Sequence, residues 1–206
     1  MFSFIIDTKE AIQSIEDCIG EKVISYRAPA FSITQNSKWA FEILAECGIE
    51  NDCSVFPTYR DFGGYPGFPG KDKPCKIDLS NYSIFEFPIN LTTIPILKKD
   101  LAYSGGGYLR FLPLWFIKNN IKKDPYVMCY FHLSDLSDFK SKFPSKKSYE
   151  SYFKEKGTLK NRTLRYIKSN IGKGALPSLL KLLDSFDFVS VKEAMFEAEK
   201  FPTIKI

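Results

Sequence analysis

The sequence predicts an α/β fold built on a mainly parallel sheet. Two observations carry this. Short apolar, strand-like runs alternate with segments of helical periodicity along the chain. One run, 126–133, is nearly unbroken in its apolar character, as a strand buried on both faces would be.

The elements follow in order. Asp7 and Glu10 have the spacing of a capping box, and Ala11, Ile12, Ile15, Cys18 and Ile19 recur at helical intervals until Gly20. Residues 23–26 read as a strand. Pro29 removes a backbone donor and pushes Ala28 to extended geometry, so 27–34 is not helix. A second helix starts at Ser37, turns Ala40, Phe41, Ile43 and Leu44 inward and ends at Gly48, and 49–52 reads as a second strand.

From 55 to 83 the Pro- and Gly-rich composition predicts one long loop, and its Phe and Tyr residues point to a functional loop packed against something. A strand is expected at 84–87. A turn follows at Gly105-Gly106-Gly107, then a helix beginning at Pro113. After the buried run come helices at 158–169 and 176–185, a strand at 186–189 and a last helix whose capping box joins Ser190 to Glu193. With 206 residues, no repeat and no low-complexity linker, one domain is expected.

Composition narrows the function classes. Apolar residues are 44% and charged residues 26%, ordinary for a globular chain. Aromatics reach 16%, which fits a thick core and equally a surface that stacks on sugar rings. The formal charge of +5 concentrates in 140–173, among Tyr149, Tyr152, Phe153 and Tyr166. No nucleic-acid motif accompanies it, so it reads as a solvated helical face and no nucleic-acid partner is expected.

Five cysteines without a C-x-x-C pair match neither a zinc ribbon nor a disulfide framework. The first residues lack the pattern of a signal peptide, and no apolar run approaches the ~18 residues of a membrane span. A cytoplasmic location is expected.

Three candidates for chemistry fall at predicted strand ends. The single histidine, His132, closes the apolar run, with Ser134, Asp135 and Asp138 beside it. A lone histidine is ordinarily a hydrogen-bonded structural residue, yet this end of a strand is where α/β active sites lie. Arg27 follows the first strand and is placed to clamp a carboxylate, with a surface ion pair as the other reading. Asp52 ends the second strand, where a buried carboxylate would orient an imidazole.

The same blocks carry a resemblance. Tyr26-Arg27-Ala28-Pro29-Ala30-Phe31-Ser32-Ile33-Thr34, Trp39 in a helix ending at Gly48, and Asp52-Cys53-Ser54-Val55-Phe56-Pro57 come first. Phe85-Glu86-Phe87-Pro88, Gly105-Gly106-Gly107-Tyr108-Leu109-Arg110-Phe111-Leu112-Pro113 and Tyr130-Phe131-His132-Leu133 follow. In that order, over about 20–188, they resemble polysaccharide deacetylases of the NodB-homology type, in the branch associated with surface-polysaccharide and exopolysaccharide clusters.

The resemblance implies an incomplete or distorted (β/α) barrel and a hydrolase that removes N-acetyl groups from sugars with a divalent metal, zinc. By it His132 is the general acid, Asp52 orients it and raises its pKa, and Arg27 holds the catalytic base. Tyr26, Phe31, Gly106, Gly107 and Tyr108 would line the sugar groove.

The family's metal and base come from a Thr-Phe-Asp-Asp-like strand and a His-x-x-x-His segment upstream of the Tyr-Arg-Ala-Pro block. Only 25 residues precede Tyr26, and none is histidine. The expectation is therefore a deacetylase-like chain of surface-polysaccharide metabolism with no metal of its own, inactive alone. Two alternatives stand beside it: a non-catalytic carbohydrate-binding module, and a deacetylase half completed by another chain. An N-acetylated polysaccharide or oligosaccharide is the expected partner. A bare edge at 23–26 is expected to be covered by 2–6 acting as a strand, or by self-association into a homo-oligomer.

Overall fold

The computed structural model describes every residue except 1, 61, 62, 72, 95–98, 138, 139, 171 and 173. Asp138, one of the neighbours noted beside His132, lies outside the described residues, as does Lys173 at the end of the basic segment. The chain divides into two compact units. One comprises Met1–Tyr103, Asn120–Met128 and Phe188–Ile206, and the other Ser104–Asn119 and Cys129–Asp187.

The first unit begins with helix α1 (Phe2–Ile19), which starts well before the expected cap. Asp7 is therefore inside the helix, where it accepts a hydrogen bond from Ser3 Oγ at 3.1 Å. The segment 2–6, expected as an edge strand, is the first turn of α1 instead. Phe4 packs edge-on against Tyr26 and Trp39, with ring centroids 6.4 and 5.6 Å away. Phe4 and Ile12 share one helical face and pack against the core, which explains why helix wins over strand here.

Strand β1 (Ser25–Tyr26) follows, then a 3-10 turn at Pro29–Phe31, and then helix α2 (Trp39–Glu46). Ala40, Phe41 and Leu44 are buried on one face of α2. The helix ends where Gly48, at φ 89°, closes a Schellman turn: Gly48 N–H donates to Ala45 O and Ile49 N–H to Leu44 O, both at 3.0 Å. Next come β2 (Asn51–Asp52), β3 (Cys75–Asp78) and β4 (Ser83–Glu86). A small antiparallel pair, β5 (Thr92–Ile94) and β6 (Lys99–Leu101), follows.

Strand β3 corrects the reading of 55–83 as one loop. Cys75 and Ile77 alternate with the more exposed Lys76 and Asp78, as in a half-buried strand. The loop's Tyr65 and Phe68 belong to the core, 5.3 Å apart by ring centroid.

The main sheet has the order β1-β2-β4-β3-β7, with β7 at Thr203–Lys205. Pairs β1·β2, β2·β4 and β3·β7 are parallel, and β3·β4 is antiparallel. The fold is thus mixed α/β with a parallel-rich sheet, and the described residues form no closed barrel. Phe41, Leu44, Ile77 and Ile84 are fully buried in its core, each worth roughly 1.5–3 kcal/mol of burial.

Two expected strands are absent. Along 126–133 there is no strand pairing among the described residues beyond one isolated bridge between Gly105 and Tyr130. In 126–128 the side chain of Asn90 takes the place of a neighbouring strand: its Nδ2 donates to Tyr126 O at 2.6 Å and its Oδ1 accepts from Met128 N at 2.7 Å. At 186–189 no strand forms: Phe186 N–H still donates to Leu182 O at 2.9 Å at the end of the preceding helix, and Phe188 and Val189 are exposed.

Helix α4 (Leu114–Lys123) crosses the boundary between the units, and α3 (Gly106–Leu109) stands at the start of the second. That unit continues with α5 (Lys146–Phe153), α6 (Leu159–Asn170) and α7 (Leu176–Leu183). Much of the basic segment is thus helical face. Arg162 and Arg165 lie over Phe143 and Phe153, at 5.3 and 4.7 Å from the ring centroids. In the first unit α8 (Val191–Ala194) starts at the expected capping box, where Ser190 Oγ accepts from Glu193 N and Glu193 Oε2 from Ser190 N.

Candidate functional site

In the first unit the parallel register brings Tyr26, Asp52 and Glu86 side by side as the last residues of β1, β2 and β4. The expectation that Asp52 sits at a strand end, next to the end of the first strand, holds. Glu86 is not among the candidates read from the sequence, although a carboxylate inside the apolar run Ile84-Phe85-Glu86-Phe87 is a visible signal.

Asp52 and Glu86 are both fully buried. Ser54 organises the first: its Oγ donates to Asp52 Oδ1 at 2.6 Å and its N–H to Oδ2 at 3.1 Å. The same Oγ accepts from Ala28 N at 2.7 Å, tying the turn after β1 to the end of β2. Glu86 Oε1 accepts from Val55 N at 3.0 Å. Its Oε2 is buried with no hydrogen-bond partner, which suits the protonated oxygen of the pair.

Two carboxylates cannot both ionise in such a place. Burial, and then the charge of Asp52, push the Glu86 carboxyl well above the usual carboxylate range. Burial also raises Asp52, opposed by the hydrogen bonds from Glu86 and Ser54. The pair therefore shares a proton, and we assign it to Glu86. Nearby, burial raises Tyr26, helped by the Asp52 charge. Burial likewise pushes Cys53 up to about 11 against the pull of Arg27.

Arg27 is engaged rather than free. Its Nε donates to Cys53 O at 3.1 Å and its Nη2 reaches Met128 Sδ at 3.5 Å, while the guanidinium lies 5.8 Å from the centre of the Phe31 ring. Phe31 is buried, with φ 55°, and Ala30 before it has φ 56°. Non-glycine residues seldom adopt this left-handed backbone, least of all in succession.

The remaining candidates lie in the second unit. His132 is exposed and precedes a 3-10 turn at Leu133–Asp135, where Asp135 Oδ2 accepts from His132 N at 2.9 Å. The glycines have steric reasons. A Cβ on Gly105 would stand 2.5 Å from the Tyr130 ring, and one on Gly106 would stand 2.5 Å from Asp135 Oδ2. Gly107 is exposed, and a Cβ added there would meet nothing within 4 Å. Tyr108 is half-buried, its ring 5.6 Å from Phe111.

The donor set does not fit the divalent metal that the resemblance implies. There is one imidazole in the chain, and among the described residues no three of His, Cys, Asp and Glu gather to hold an ion. Also among the described residues, no helix is long and apolar enough to cross a membrane.

A family model matches residues 53–195, more than half of the chain. The chain belongs to the family described as a domain of unknown function, DUF3473. This domain is associated with polysaccharide deacetylase-like proteins. The matched span takes in Cys53, Ser54, Glu86, the glycine turn and His132, and it begins one residue after Asp52. No curated protein and no solved structure matches the chain.

Proposed function

We propose that this DUF3473 chain is a polysaccharide deacetylase-like protein of surface-polysaccharide metabolism that holds an N-acetylated saccharide and does not hydrolyse it unaided. The observation that carries the reading is the row Tyr26, Asp52 and Glu86 at the ends of three adjacent parallel strands. Strand ends of this kind are where α/β folds bind ligands. The family's association with deacetylase-like proteins is the ground for reading an N-acetylated sugar as the ligand. We take β1-β2-β4 as an arc of the barrel that the resemblance implies.

In this reading half-buried Tyr26 offers flat apolar area to a sugar ring, while buried Phe31 backs the groove from beneath and the buried acid pair fixes the strand ends. Arg27 is a positioning cation, tied to Cys53 O. The second unit, taken by itself, carries Gly106, Gly107 and Tyr108 as a separate sugar contact, and His132 would donate a proton to a leaving amine only where another chain supplied the metal. Because the described residues gather no metal-binding cluster, no hydrolytic step is assigned to this chain.

Two measurements on the intact chain test the proposal. Calorimetry with a tetrasaccharide of N-acetylglucosamine is expected to give saturable binding, and acetate release is expected to stay at the uncatalysed level. Release of acetate by the chain alone would overturn its inactivity. A featureless titration would overturn the saccharide reading altogether.

A further inference from the structure

We propose that Phe31, Phe56 and Arg60 form a carboxylate-reading subsite, so that the saccharide taken by this chain includes an acidic sugar of the uronate class. This rests on the saccharide reading above and names its substrate more narrowly. The Arg60 guanidinium carbon lies 4.3 Å from the Phe56 ring centroid and 5.0 Å from that of Phe31. The two rings meet edge to face, 5.3 Å apart at 62°. Stacking on aromatic faces fixes the plane of a guanidinium without using its hydrogen-bond donors.

Arg60 is exposed, and among the described residues its side chain has no hydrogen bond or ion pair. An oriented guanidinium fork with free donors matches a planar carboxylate, which accepts two parallel N–H bonds. A neutral N-acetylhexosamine offers no such anion. Arg27 adds a second positive charge on the same Phe31 ring, 5.8 Å from its centre.

The backbone that seats the Phe31 ring beneath Arg60 is strained. Ala30 and Phe31 both have positive φ, near 55°. Facing them, Gly63 (φ 105°) and Gly64 (φ 88°) admit no side chain: a Cβ would stand 2.2 Å from Phe31 O and from Thr58 O, respectively. Gly64 N–H donates to Phe31 O at 3.0 Å and holds the turn. Strain of this kind persists where the surroundings over-determine it, and it concentrates at ligand clamps.

The experiment compares two tetrasaccharides of equal length by calorimetry on the intact chain at low salt. One is all N-acetylglucosamine, and the other alternates N-acetylglucosamine with glucuronate. The wild type is expected to bind the acidic one about tenfold more tightly. Arg60→Gln should abolish the preference while leaving the neutral affinity and the melting temperature unchanged, and Arg60→Lys should keep part of it. Equal wild-type affinities, or a preference that survives Arg60→Gln, would overturn the subsite. So would a loss of both affinities together in Arg60→Gln, which would mark Arg60 as a structural staple. Neutral binding without acidic preference leaves the proposed function standing and sinks only this inference. Failure of both sugars to bind sinks both.

Discussion

Asp52 and Glu86 end adjacent parallel strands in register, fully buried, close enough that each carboxyl group shifts the other's proton affinity. Both groups hold their protons to higher pH in the folded chain than in the unfolded one. Stability from this pair is thus full below the ordinary carboxylate values, 3.8 and 4.5, and is lost as pH rises through the raised folded values. Glu86→Gln keeps a donor toward Asp52 and an acceptor for Val55 N, so its unfolding free energy should decline less steeply with rising pH than the wild type's. Glu86→Leu leaves Val55 N unpaired and should cost about 1–3 kcal/mol at every pH. Urea melts at several pH values check both.

The glycine turn separates steric need from tolerance within one helix. Gly106→Ala would drive a methyl into the Asp135 carboxylate that receives His132 N. It should lower the melting temperature and shift the His132 amide resonance. Gly107→Ala meets nothing within 4 Å and should melt like the wild type or slightly higher, since alanine is the better helix former.

Thiol reactivity reports on the core. Burial raises Cys53 to about 11 and Cys75 and Cys129 to about 12. At pH 8 the thiolate fraction of Cys53 is then roughly one in a thousand. Exposed Cys18 should react with an aromatic disulfide reagent within seconds, and the buried Cys53 and Cys75 only after denaturant is added. Rapid labelling of Cys75 in the native protein would contradict the buried β3.

The strand ends at 26 and 52 were legible from the turns that follow them, whereas the strand expected at 84–87 runs Ser83–Glu86 and ends one residue earlier. The Ser190 cap and the Gly48 stop were legible for similarly local reasons. Residues 126–133 misled because apolar character does not reveal pairing. There Asn90 supplies to Tyr126 and Met128 the hydrogen bonds that a neighbouring strand would give. Strand β3 was hidden by the Pro and Gly around it, although Cys75 and Ile77 alternate with polar residues. At the candidate site, Asp52 was expected and its partner Glu86 was not. Arg60 was invisible because its role depends on two rings, Phe31 and Phe56, that the fold brings together.

The central claim is that a saccharide seats at the ends of β1 and β2. Titrating a tetrasaccharide of N-acetylglucosamine into isotope-labelled protein and following backbone amide resonances tests it most directly. The account predicts saturable shifts centred on Tyr26, Arg27, Phe31 and Cys53. No saturable shifts, or shifts confined to helices α6 and α7, would contradict it.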